Sequence, residues 1–205
     1  HFRTTLHSDH PAGTYWYHPH IHGSTATQVG GGLMAGMIIV EDDAASVPSE
    51  LAAMADVPLV LQMLYFDAKG VPARRAIHTA ISDPLDLEMQ GRPTTNYVVV
   101  NGAYDRTKTL RQGEAQRWRL LNAAEVIIFE LVLDGCELSV IAMDGIYIDA
   151  PRRKSTVVIM PGSRADVIVR CLTAGTFTLR SFNDTAHVSI LGENNRENID
   201  VMTVE

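Results

Sequence analysis

Long apolar runs are missing from this chain. No stretch approaches the roughly 20 residues that a membrane-crossing helix needs, so no membrane span is expected. Aromatic residues make up only 6%, and any core must therefore rest on Val, Ile, Leu and Met. Positive charge is in deficit: 17 Lys and Arg stand against 24 Asp and Glu, for a formal net charge of -7. That balance argues against a nucleic-acid partner or an anionic membrane surface. The one tight basic run, Arg152-Arg153-Lys154, reads as a solvated turn. Cysteine is confined to Cys136 and Cys171. Neither belongs to a Cys-x-x-Cys motif or a Cys/His cluster. Both lie in strand-like runs, where buried free thiols are the plainer reading and a disulfide stays open. There is no Walker loop and no Gly-x-Ser-x-Gly. The opening His1-Phe2-Arg3-Thr4 lacks the basic start and apolar stretch of a signal peptide. The chain reads as beginning within a domain.

What is present is a β pattern. With 205 residues, 46% of them hydrophobic, the chain can bury one ordinary core or somewhat more. Short runs rich in β-branched residues alternate with Gly, Pro, Asn and Asp. Strands are expected at 14–17, 37–40, 58–65, 97–100, 115–121, 126–133, 138–142, 156–160, 165–171, 176–182 and 201–204. Asn101-Gly102, Asp134-Gly135, Asp144-Gly145, Pro161-Gly162 and Ala174-Gly175 supply turns between them. Residues 48–54 carry a short helical signal. Many short strands at close spacing point to an all-β sandwich or Greek-key barrel. Composition changes over Glu41 to Ser46, and a domain boundary is expected there. The two or three strands before it bury too little surface to stand alone.

Three of the eight histidines fall in Tyr17-His18-Pro19-His20-Ile21-His22-Gly23. In an extended segment, residues two apart point the same way. Clustered imidazoles repel when protonated and need partners when buried and neutral. A metal ion relieves both problems by accepting a ring-nitrogen lone pair, and imidazole suits copper, zinc, iron and nickel. The bare tract fits metal ligation; it also fits a surface cluster holding no metal.

The flanking residues carry more. The run from His10 to Gly23, followed by Gln28, Gly32-Leu33 and Gly36 to Asp42, resembles the end of the first domain of laccase-like multicopper oxidases. Val99-Val100-Asn101-Gly102, Gly113-Glu114, Arg117 to Asn122, Val140 to Gly145 and Pro161 to Asp166 resemble the middle domain of that family. The resemblance implies a cupredoxin-like Greek-key sandwich, with residues 1–45 ending a first cupredoxin domain and residues 46–205 forming a second. It implies copper as cofactor: His18 and His20 match a pair that binds type 3 coppers of a trinuclear cluster. His22 falls outside the pair and is a weaker candidate. O₂ and a small reducing substrate (a phenol, an amine or a low-valent metal ion) would be the reactants of the full protein. An extracellular or periplasmic setting goes with the family.

The departures matter too. The family's upstream His-x-His-Gly and its later His-x-x-His-x-His and His-Cys-His segments do not occur in this sequence. Remaining cupredoxin domains, or another chain, are needed to complete the copper site. The isolated polypeptide is expected to be incapable of four-electron O₂ reduction. Pro19, not Cys, stands between His18 and His20, so a type 1 site in this domain lacks its thiolate. Met34 then reads as a packing residue. His1, His7, His10, His78 and His187 read as surface or turn residues. Asp83, Asp86 and Glu88 read as a polar loop, and Asn183-Asp184-Thr185 is a weak glycosylation match. Gly30-x-Gly32-x-x-x-Gly36 has the wrong spacing for a dinucleotide loop. The alternative from another class is a non-catalytic copper-binding or interaction module on the same scaffold.

Overall fold

The computed structural model describes residues 3–30, 33, 36–43, 45–66, 95–125, 127–181 and 199–205. Among them, β1 (Gly13–Tyr17) and β2 (Gly36–Val40) flank the short helix α1 (Thr25–Gly30). The next elements are α2 (Ser49–Ala52), β3 (Ala55–Phe66), β4 (Thr95–Val100) and β5 (Arg106–Lys108). There follow β6 (Ala115–Asn122), β7 (Phe129–Val132), β8 (Cys136–Met143), β9 (Ile146–Lys154) and β10 (Val157–Ile159). The last are β11 (Arg164–Cys171), β12 (Phe177–Ser181) and β13 (Ile199–Val204). Three sheets result, ordered β1-β2, β10-β7-β12-β13-β5 and β4-β3-β6-β11-β8-β9. The expected all-β sandwich is what the chain forms.

The core lies between the two larger sheets. Leu59, Leu61, Val98, Val100, Trp118, Leu120, Val140, Val167 and Val169 come from the six-stranded sheet. Phe129, Leu131, Ile159, Leu179, Val201 and Val204 answer from the five-stranded one. The period-two alternation of β6 explains its place. Trp118 and Leu120 enter the main core, while Leu121 on the opposite face joins Val60 and Ala123 in a second cluster. Burial on both faces marks a central strand.

Asn101 and Gly102 both have positive φ, as do Asp144 and Gly145. Two positive values in succession belong to type I′ turns, which Asn-Gly and Asp-Gly favour. Asn101 also ties its turn to β3: its Oδ1 accepts from the Val60 amide and its Nδ2 donates to the Pro58 carbonyl.

Three expectations need correction. Cys136 and Cys171 are not free thiols; they form a disulfide, facing one another across β8 and β11. Register decided this, since directly opposed residues come within bridging distance, and register is invisible in a list of strand-like runs. Arg152-Arg153-Lys154 is not a turn. It ends β9, the edge strand, opposite Val140, Ser139 and Leu138. Solvent on both faces removes the apolar alternation that would have marked it. Helix α1 and strand β5 were not expected at all.

Several sequence features lie outside the described residues: His1, His78, His187, Met34, the Asp83-Asp86-Glu88 group and the Asn183 triplet.

Candidate metal centre

The histidine tract hangs from the β1–β2 hairpin, and that hairpin is seated on the outer face of the six-stranded sheet. Seating begins at Gly13, where φ is +148° and a Cβ would stand 2.3 Å from the Gly145 carbonyl oxygen. Only glycine permits that approach. Next, the buried Thr14 hydroxyl donates to Asp166 Oδ1 at 2.9 Å and accepts from Arg119 Nη1 at 3.0 Å. Arg164 Nε donates to the Thr14 carbonyl at 3.0 Å, and its Nη2 to the Asp144 carbonyl. Trp16 and Met37 then pack on Val60, Leu121 and Ala123.

Under Thr14 runs a network of charges. Arg117 Nη2 lies 2.5 Å from Asp166 Oδ2, and Arg119 Nη2 lies 2.7 Å from Asp56 Oδ2. Burial by itself pulls the Arg117 guanidinium down, but the hydrogen bond and charge of Asp166 outweigh it and hold it above the usual arginine range. The Arg117 guanidinium sits 5.4 Å from the centre of the Tyr147 ring. Burial, then a 2.7 Å hydrogen bond to Asp42, pushes the Tyr147 hydroxyl above its ordinary value. The network thus links Thr14 and Asp42 with strands β6, β9 and β11. Sequence reading passed over its role. The available signal was Arg117 and Arg119 two apart in an otherwise apolar strand, a pattern that demands buried counter-charges.

Beyond β1 the tract leaves the strand. His18 is half-buried, whereas His20 and His22 are exposed. The Trp16 ring stacks on His18 at 4.3 Å and 28°, which places the imidazole through the packed indole. His18 Nδ1 lies 2.7 Å from the Pro19 carbonyl oxygen. A carbonyl can only accept, so Nδ1 carries the proton and donates. In the neutral ring the lone pair is then on Nε2, one of the two nitrogens through which histidine binds a metal. The His20 ring is 5.6 Å from His18, and the His20–His22 pair is 6.1 Å apart at 80°. His20 thus neighbours both other rings, although the segment is no strand. On the far side, Thr25 Oγ1 and the Thr25 amide both bond the Ile21 carbonyl, turning the chain into α1.

The donor chemistry of His18 and His20 fits copper, and it fits part of a site. No group of three or more His, Cys, Asp or Glu able to hold a metal occurs among the described residues. His10 is engaged elsewhere, its ring edge-on to Tyr15 at 4.7 Å and its Nδ1 donating to the Pro11 carbonyl at 3.0 Å. The His7 carbonyl accepts from the His10 amide.

One further group escaped sequence reading. Glu125 follows Ala123 and Ala124, and both its carboxylate oxygens are buried with no other residue as hydrogen-bond partner among the described residues. Burial raises its pKa from 4.5 to about 7.

Comparison with known proteins identifies a family. Two models, each described as multicopper oxidase, match residues 68–196 and residues 1–45. Multicopper oxidase mco of Staphylococcus aureus is 28% identical over 159 residues, covering 77% of this chain and 33% of that protein. Cell division protein FtsP of Salmonella typhimurium is 32% identical over 162 residues, covering 77% of this chain and 32% of that protein. McoA multicopper oxidase of Aquifex aeolicus superposes with a TM-score of 0.71 at 25% identity, covering 95% of this chain and 41% of that structure. The chain spans about a third of the length of the curated relatives it matches.

Proposed function

The chain belongs to the multicopper oxidase family, and from that premise we propose that His18 and His20 are ligands of type 3 copper in a trinuclear cluster. The observation that carries this reading is the His18 Nδ1–Pro19 bond of 2.7 Å, which leaves the Nε2 lone pair uncommitted beside a second imidazole 5.6 Å away. Residues 1–45 then end one cupredoxin domain and residues 46–205 form the next, whose work is to hold the first in place. His22 is a neighbour of the pair. Other cupredoxin domains, or another chain, supply the remaining ligands.

In the whole protein, bound copper supplies the redox chemistry that passes single electrons from a reducing substrate to O₂, giving water. The substrate is a phenol, an amine or a low-valent metal ion. The residues of this chain do the positioning. Trp16 fixes one face of the His18 ring, Pro19 fixes its tautomer and stiffens the link to His20, and Thr14 with Gly13 fixes the strand from which both hang. The Cys136–Cys171 disulfide suits an oxidising compartment and so supports an extracellular or periplasmic setting. No described helix is long and apolar enough to cross a membrane.

The test is copper uptake by calorimetry, with metal analysis, on the 205-residue chain and on the paired substitution His18→Ala and His20→Ala. Loss of specific uptake in the paired variant is expected. Undiminished uptake would move the site elsewhere. A second reading is favoured by one observation, the similarity to a cell division protein: a scaffold without oxidase chemistry. Copper content and O₂ consumption of the full-length protein separate the two. A scaffold would consume no O₂ whatever its copper content.

A further inference from the structure

A cleft of about 560 Å³ opens between α2 with its leading segment and strands β8, β9 and β11. It plays no part in the histidine site. Its volume falls within the range of ordinary small-molecule sites. Leu51 and Met54 line one wall, and Ile141 and Ile168 line the floor. The charged residues that line it are Asp42, Glu50 and Asp149; among the described lining residues none is Lys, Arg or His.

The carboxylates are not equivalent. Asp149 is already paired with Arg152 at 2.8 Å. Asp42 accepts the Tyr147 hydroxyl and Glu50 the Ser49 hydroxyl. Neither forms an ion pair among the described residues. Two carboxylates without a cation therefore border an apolar hollow. A neutral apolar guest would leave those charges unanswered, and an anion would be repelled. A metal ion would find no apolar complementarity. The guest that answers both features has one positive charge and a hydrophobic body.

We propose that this cleft binds a small organic monocation, an aralkyl ammonium, with its apolar body against Leu51, Met54, Ile141 and Ile168 and its ammonium group between Asp42 and Glu50. Apolar contact supplies most of the affinity, and the carboxylates select charge. Asp42 also bonds Tyr147, whose ring lies under Arg117, so an occupied cleft abuts the network that seats the histidine hairpin.

The experiment uses the 205-residue chain without metal, so its outcome does not depend on the copper reading. Binding of 2-phenylethylammonium is measured by calorimetry and by NMR shifts of Met54 and Ile141, with 2-phenylethanol as the neutral comparison. Saturable binding is expected, tighter for the cation than for the alcohol and weaker at higher salt. Asp42→Asn and Glu50→Gln are each expected to weaken the cation roughly threefold, and together about tenfold, typical of partly exposed charge pairs. The alcohol should be indifferent to both changes. Because Glu50 is exposed on a single helical turn, Glu50→Lys serves as a second variant that leaves packing intact and should abolish the preference for charge. Absence of saturable binding, equal affinity for the alcohol, or a cation affinity untouched by the carboxylate substitutions would each overturn the proposal.

Discussion

Glu125→Gln should make the protein more stable at alkaline pH and leave it nearly unchanged at acid pH. Glu125 is largely buried, and among the described residues neither carboxylate oxygen has another residue as hydrogen-bond partner. Desolvation raises its pKa from 4.5 to about 7. The folded state therefore binds this proton more tightly than the unfolded chain does. The direction follows from linkage. Below pH 4.5 the group is neutral in both states and exacts no penalty. As pH rises through the interval, the unfolded chain ionises freely while the folded chain resists, and stability falls until pH passes 7. A shift from 4.5 to about 7 corresponds to about 3 kcal/mol at 1.36 kcal/mol per unit. Glutamine matches the shape and carries no charge, so it escapes that loss.

The assay is urea unfolding of both proteins at pH 5 and pH 8.5. Comparing the two proteins cancels the titration of every other carboxylate. The stability difference should grow by about 2.5 kcal/mol in favour of glutamine between the two pH values, since the unfolded carboxyl is already mostly ionised at pH 5. A difference that stays constant over that range would refute the reasoning, because it would place the carboxyl in water or beside a partner that tolerates its charge.

Three other outcomes are expected. Gly13→Ala should cost at least about 2 kcal/mol in chemical unfolding, since its φ of +148° and the Gly145 carbonyl oxygen 2.3 Å from a Cβ leave no room for relaxation. Asp166→Ala should cost about 3–5 kcal/mol, because it strands the Arg117 guanidinium in the interior while Arg119 keeps Asp56, and breaking a buried pair costs that much. Reducing the Cys136–Cys171 disulfide, which closes a loop with a separation of 35, should lower stability by about 3–4 kcal/mol, read as a shift in the unfolding midpoint with and without reductant.

Much of the fold could be read from the residues because its signals are local. Asn101-Gly102 and Asp144-Gly145 announce their turns, and β6 shows both its faces in the alternation of Arg117, Trp118, Arg119, Leu120 and Leu121. Other features are decided by tertiary pairing and leave no local trace. The end of β9, Arg152 to Lys154, carries no apolar residue and is a strand because β8 lies beside it. The disulfide depends on which residue of β8 faces Cys171. For the site, His18 and His20 stand out by spacing and flanking residues. The reason His18 is oriented does not: Trp16 touches both the imidazole and the second-layer cluster, a fact of packing. Glu125 could not be flagged, since one glutamate after two alanines says nothing about whether water reaches it.

The polar seam under the β1–β2 hairpin explains why the tract needs the sheet beneath it. An apolar seam could hold two sheets as firmly, for buried ion pairs seldom outperform well-packed hydrophobic residues. What ions add is position. Slipping β1 by one residue would turn Thr14 away from Asp166 and Arg119 and swing Trp16 off Val60 and Leu121, because strand side chains alternate faces. His18 would follow, losing the indole that steadies it. A hydrophobic face tolerates sliding, whereas Thr14, held by an acceptor at 2.9 Å and a donor at 3.0 Å, does not. The Gly13–Gly145 contact sets the same register from the backbone side. Side chains far from the imidazoles therefore determine where those imidazoles sit, and the proposed role of His18 and His20 as part of a site completed by other segments would depend on such a constraint.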